Sequence, residues 1–167
     1  LKVALTGGIA TGKSHVLERC LSRGIPCLDA DALAHGAMAG GTEVSQAVAA
    51  RFGHDVLDAD GAGDRGRLGP VVFSDAAARR DLEAIVHPAV YRAITAGLRA
   101  FERMGGSAFA VVDVPLLYET GRAGEFDRVH HKLGGEIGRG AGGDGDAGIQ
   151  SGAERRGHEI LETVTHA

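Results

Sequence analysis

Gly7-Gly8-Ile9-Ala10-Thr11-Gly12-Lys13-Ser14 spells glycine, four residues, glycine, lysine and serine. It lies between a short apolar run, Lys2-Val3-Ala4-Leu5, and a helix-forming run from Ser14 to Leu21. Strand, glycine loop and helix in that order let successive backbone N–H groups wrap an anion at a helix N-terminus. In such a loop the lysine reaches the outer phosphates and the hydroxyl that follows is placed for Mg²⁺. Lys2, Lys13 and Lys132 are the only lysines among eighteen basic residues, so a lysine in the slot that needs a compact point charge is informative. The competing reading of the stretch is an ordinary glycine turn between a strand and a helix.

A loop of this kind belongs to α/β architecture. The expectation is a phosphate-loop NTPase-like parallel sheet with helices on both faces and the ligand over the carboxyl ends of the strands. The 167 residues, 44% of them hydrophobic, suffice for one such domain with a real core. A formal charge of −4 argues against a nucleic-acid or anionic-membrane surface, so a polyanionic ligand must be held by local features. Cys20 and Cys27 make neither a disulfide framework nor a cysteine-rich zinc site and read as small apolar groups. The longest apolar run, Ala108 to Leu117, is too short to span a bilayer and contains Asp113. A cytoplasmic protein is expected; composition leaves the oligomeric state open.

Further along, Ile25 to Asp29 reads as a second short strand after Arg23-Gly24, giving a βαβ start. It ends in Asp29-Ala30-Asp31, whose carboxylates should lie close to the glycine loop at the end of the neighbouring strand. An Asp placed there can take a proton from an acceptor hydroxyl or hold a water on Mg²⁺. It can also simply cap the helix that begins at Ala32. Val44 to Phe52, Arg67 to Phe73, Ala76 to Val86 and Ala89 to Arg103 carry apolar residues at helical spacing, with a break at Pro88. An insertion of this length, about residues 32–104, makes a helical subdomain suited to hold an acceptor substrate. His87, set at a helix end by Pro88, reads as a hydrogen-bonding cap or as a ligand contact. Arg65 reads as a solvated loop charge or as an arginine facing phosphate. The run from Ala108 to Leu117 is the third strand. Its Asp113 either bonds local backbone or supports the water shell of Mg²⁺, with Ser14 as the other metal contact.

In combination these motifs resemble the dephospho-CoA kinase family. The resemblance rests on Leu5 through Ser14, on Gly24-Ile25-Pro26 leading to Asp29-Ala30-Asp31-Ala32-Leu33-Ala34-His35, and on Arg51-Phe52-Gly53. It continues through Asp64-Arg65, Leu82 through Pro88, and Val114-Pro115-Leu116-Leu117-Tyr118-Glu119. It implies transfer of phosphate from ATP to the ribose 3′-hydroxyl of dephospho-CoA, the last step of coenzyme A biosynthesis, with Mg²⁺ as cofactor. It further implies that Gly8, Ile9, Ala10, Thr11, Gly12, Lys13 and Ser14 hold ATP, that Lys13 and Asp31 are catalytic, and that Asp31 is the general base. Thr6, Asp31, Arg65, His87, Pro115, Leu116 and Leu117 are implied on the acceptor side. Glu119 is a further candidate for the same crevice. The rivals are another small-molecule phosphate-loop kinase and a remnant of the family that binds nucleotide without turnover.

The end of the chain departs from that family. After Phe126-Asp127-Arg128-Val129 its members continue into an apolar strand, a helix and an arginine-bearing lid. Here follow His130-His131-Lys132-Leu133 and a tail in which ten of the residues from His130 to Ala167 are glycine and none is aromatic. The expected organisation is therefore a kinase core of residues 1–129 and an irregular tail of residues 130–167, with the sheet lacking the strand after Val129. Arg139, Arg155 and Arg156 take no lid role on this reading.

Overall fold

The computed structural model describes residues 1–8, 11–115, 117 and 121–131. They separate into two compact units, one of Leu1–Asp29 with the chain from Ala100 onward, the other of Ala30–Arg99.

The first unit is built on a four-stranded, wholly parallel sheet. Its strands are β1 (Lys2–Thr6), β2 (Cys27–Asp29), β3 (Ala110–Asp113) and β4 (Arg128–His131), in the order β2-β3-β1-β4. In β1, Val3 and Leu5 point to one face and Ala4 and Thr6 to the other, and all four are buried. Burial on both faces explains why β1 and β3 read as continuous apolar runs rather than alternating ones. Helix α1 (Lys13–Ser22) lays Val16 and Cys20 against Val3, Leu5 and Val111, with Leu17, Ile25, Cys27 and Phe109 packed around them. Each large apolar side chain buried in this cluster contributes about 1.5–3 kcal/mol. The two cysteines belong to the same cluster, as expected of small apolar groups. A hydrogen bond from the Cys27 thiol holds Cys20 below the ordinary thiol value against the effect of burial. The same contact, with burial, pushes Cys27 up.

Two sequence expectations about this sheet are corrected. β2 is not the neighbour of β1, because β3 lies between them and pairs with both. The Asp29-Ala30-Asp31 segment therefore follows the strand beyond β3, not the strand beside the glycine loop. Second, the sheet does not lack a strand after Val129: Arg128–His131 pairs in parallel with Val3 to Thr6, so the boundary expected after Val129 falls inside β4. Two histidines and a valine are enough to extend an edge strand whose ladder is made by main-chain groups. The expectation of an irregular tail from Lys132 onward lies outside the described residues.

The second unit is helical. Helix α2 (Ala30–Ala37) starts directly after β2. It is followed by α3 (Glu43–Phe52), a 3₁₀ turn at His54–Val56, α4 (Arg65–Ser74) and α5 (Ala76–Met104), the last running on into the first unit. Thr42 caps α3 by accepting from Ser45 N, and Asp64 caps α4 by accepting from Gly66 N and Arg67 N. Asp64→Ala is expected to lower stability by about 1 kcal/mol in urea denaturation, and an unchanged midpoint would refute the cap's contribution. Arg51 of α3 reaches Asp81 of α5 at 2.6 Å, a half-exposed pair of small energetic weight.

The break expected at Pro88 is absent. α5 runs through it, and Val86, Val90, Tyr91, Ile94 and Leu98 keep one buried stripe across the proline. Pro88 and Ala84 are both exposed, so the carbonyl that loses its i+4 partner is turned to water, where its cost is small. His87 consequently sits within a helix rather than at the end of one.

Candidate functional site

At the carboxyl end of β1 the backbone turns through Gly7, at φ 142°, and reaches α1 through Gly12, at φ 83°. Both angles are in the region that side chains with a Cβ rarely adopt, which is the physical reason for glycine at these two positions. Gly12 stands at the N-cap of α1 with no side-chain cap, and the first turn carries no acidic residue. No side chain caps this helix end, and the helix dipole favours an anion there.

Lys13 arches back over the loop, its Nζ donating to Gly7 O at 2.7 Å and to Gly8 O at 3.1 Å. Thr11 Oγ1 donates to Gly8 O at 2.9 Å, so that carbonyl accepts from both side chains. Gly7, whose carbonyl Lys13 bonds, was not among the candidate nucleotide residues read from the sequence. Its signal was there, since it is the first glycine of the pattern. Ser14 is exposed in the first turn of α1. Ile9 and Ala10 lie outside the described residues.

Thr6, the last residue of β1, is 2% exposed, and its hydroxyl donates to Pro115 O at 3.2 Å. Val114 N donates to Leu5 O at 2.9 Å. Together these bonds fasten the start of the glycine loop to the turn that leaves β3. Thr6→Val is expected to cost about 1 kcal/mol in stability by leaving that carbonyl without its donor, read by urea denaturation. A neutral effect would refute the fastening. Asp113 ends β3, buried, in register with Leu5 of β1 on one side and Asp29 of β2 on the other. Pro115 is half-buried and Leu117 fully buried; Leu116 and Glu119 lie outside the described residues.

Ser14 and Asp113 offer a hydroxyl and a carboxylate, hard oxygen donors that fit Mg²⁺. Among the described residues there is no group of three His, Cys, Asp or Glu side chains able to hold a metal ion.

In the helical unit, α2 begins at Ala30, so Asp31 falls inside the first turn and is exposed rather than capping a helix from outside. Asp29, the last residue of β2, is the one that immediately precedes the helix. Arg65 is the first residue of α4, not a loop residue, and its Nη2 donates to the main-chain oxygen of Asp31 at 3.3 Å. Two residues singled out separately from the sequence are thereby brought together. His87 is half-buried and meets Tyr91, one helical turn on, edge to face with ring centroids 6.4 Å apart. Tyr91 carries no signal in the sequence beyond its place in the apolar stripe.

Comparison with known proteins bears on this arrangement. The family described as Dephospho-CoA kinase matches residues 1–133. The dephospho-CoA kinase of Cutibacterium acnes is 46% identical over 129 residues, covering 77% of this chain and 56% of that protein. That of Anaeromyxobacter dehalogenans is 49% identical over 130 residues, covering 76% and 60%. The chain thus spans 56% and 60% of the length of these two relatives. Among solved structures, TT1252 from Thermus thermophilus superposes with a TM-score of 0.65 at 32% identity, over 79% of this chain and 64% of that one. A dephospho-CoA kinase from Campylobacter jejuni superposes with a TM-score of 0.63 at 27% identity, over 78% and 64%.

Proposed function

Because the chain belongs to the dephospho-CoA kinase family, we propose that it transfers the γ-phosphoryl group of ATP to the ribose 3′-hydroxyl of dephospho-CoA. The observation that carries this reading is the uncapped, glycine-hinged start of α1 with Lys13 folded over the loop, in a chain whose second strand runs straight into a helix bearing Asp31.

In this reading the loop amides and Lys13 hold the β- and γ-phosphates, with residues Gly8 to Ser14 as the nucleotide site and Gly7 added to it. Asp31 accepts the proton of the 3′-hydroxyl as that oxygen attacks the γ-phosphorus, the bond from the γ-phosphorus to the β–γ bridging oxygen breaks, and ADP leaves. Ser14 and Asp113 would hold Mg²⁺, which when bound neutralises charge on the phosphates. Thr6, Arg65, His87 and Pro115 to Leu117 serve the acceptor side, Thr6 by fixing the loop's first hinge through Pro115. Catalysis of this kind is positioning and charge stabilisation more than covalent chemistry, which fits a site made of a glycine loop, a lysine and two carboxylates.

The organisation proposed with it is a phosphate-loop core, a helical acceptor-binding insertion at about residues 32–104, and a tail beyond β4. Among the described residues no helix is long and apolar enough to cross a membrane. We propose a cytoplasmic setting, with no nucleic-acid partner.

Purified protein incubated with ATP, Mg²⁺ and dephospho-CoA should yield coenzyme A and ADP in equal amounts. A second reading, a family member that binds ATP without turnover, draws on the family match stopping at residue 133 while the chain continues to residue 167. In the family the lid arginine stabilises charge on the transferring group, and loss of such a term lowers turnover by about 10²–10³. Nucleotide binding with no coenzyme A formed would favour this second reading. Phosphorylation of a different small alcohol in preference to dephospho-CoA would overturn the first.

A further inference from the structure

Helix α2 carries the proposed base, yet it is only eight residues long and begins with no linker after β2. A helix so short has little intrinsic stability, so its direction and that of Asp31 must be set by what holds it. Within the helical unit two bonds reach it from a single stretch of chain. Gly63 N donates to Met38 O, just past the end of α2, at 2.9 Å, and Arg65 Nη2 donates to Asp31 O, in its first turn, at 3.3 Å. The stretch that supplies both is itself pinned. Asp64 N donates to Val56 O at 2.9 Å, and the Asp64 carboxylate takes Gly66 N at 2.7 Å and Arg67 N at 3.2 Å. Arg67 Nη1 donates to Asp55 O at 3.2 Å and to Leu57 O at 2.5 Å. Gly63 is buried, and a Cβ there would come to 3.3 Å from the Met38 sulfur, so this end of the contact is close-packed.

The Met38 end of α2 is therefore held by burial and a main-chain bond. At the Asp31 end, which follows β2 with no linker, the exposed Arg65 guanidinium bonds the first turn through its main chain. We propose that Arg65 is a positioning residue, which fixes the first turn of α2 through the main-chain oxygen of Asp31 and so holds the Asp31 carboxylate at the bearing its proton transfer requires. The proposal rests on the reading of Asp31 as the base. It gives Arg65 a task separate from contact with the acceptor: the bond is made to backbone, so it persists whatever the Asp31 side chain does during the reaction. One light hydrogen bond suffices, because proton transfer is steeply sensitive to geometry and a displacement of about 1 Å can cost about a hundredfold in rate.

The test compares the full chain with Arg65→Ala and Arg65→Lys, by steady-state kinetics at saturating dephospho-CoA and by amide hydrogen exchange of peptides covering α2. Arg65→Ala is expected to lower kcat by about ten- to a hundredfold with KM for ATP unchanged, and to speed exchange in the first turn of α2 while exchange around Met38 stays slow. Arg65→Lys, which can still donate once to Asp31 O, should restore most of both. A kcat equal to wild type with only KM for dephospho-CoA raised would overturn the proposal, leaving Arg65 as an acceptor contact. Exchange in α2 unchanged by Arg65→Ala would overturn it as well. Exchange needs no turnover, so a chain that forms no coenzyme A would count against the proposed function while the exchange result still decided whether the latch exists.

Discussion

Lys13→Ala is expected to reduce phosphoryl transfer by about 10²–10³ and to weaken nucleotide binding. The ammonium group has two jobs that alanine cannot share. It is the positive charge in the glycine loop, and such a charge acts on the outer phosphates in both the ground and transition states. It also bonds Gly7 O and Gly8 O, at 2.7 and 3.1 Å, and so holds two loop carbonyls that would otherwise point their negative ends at an incoming anion. Titration with a fluorescent ATP analogue, alongside kcat/KM for ATP, separates the two. A variant with wild-type binding and turnover would remove the loop from the site altogether.

Asp31→Asn should behave in the opposite manner, keeping ATP affinity within about twofold while transfer falls by about 10²–10⁴. The substitution is nearly isosteric, and the bond from Arg65 goes to the main-chain oxygen, so the first turn of α2 has no reason to move. On the proposed mechanism what disappears is the acceptor for the hydroxyl proton, and that loss is felt only as the 3′-oxygen attacks. Loss of ATP affinity with turnover retained would show that the carboxylate belongs to the nucleotide side and is not the base.

Much of this was legible in the sequence because the relevant physics is local. A glycine loop has to have its glycines where φ is positive, and Gly12 does; a parallel strand buried on both faces has to be apolar along its length, and Ala110 to Val112 are, before the acid that ends the strand. What was not legible was order and continuity. Nothing in Ile25 to Asp29 tells which strand it will pair with, and its shortening to Cys27–Asp29 beside β3 depends on a partner far along the chain. Pro88 carries a strong local signal for a break. It is overridden because burial of Val86, Val90 and Ile94 on the opposite side outweighs one missing hydrogen bond exposed to water. β4 was missed for the complementary reason. Arg128-Val129-His130-His131 has little apolar character, and an edge strand needs little when β1 supplies the ladder. Arg65 and Asp31 were each picked out, yet their contact joins residues of two helices and leaves no mark in spacing.

The central place of β1 also bears on the time during which the chain is still being made. β1 pairs with two strands made more than 100 residues after it: Lys2 waits for Ala110, and Val3 for Arg128. At translation rates of about 5–20 residues per second, the apolar run Val3-Ala4-Leu5 spends about 5–20 s with neither ladder partner in existence. Helix α1 can shield Val3 and Leu5 on one face during that interval, but the strand's main-chain edges stay open to any passing chain. The helical unit, with its nearer contacts, meets no such delay. Slow synthesis between residues 30 and 110 would thus lengthen the period of exposure, and chaperone dependence of the nascent chain should concentrate at β1.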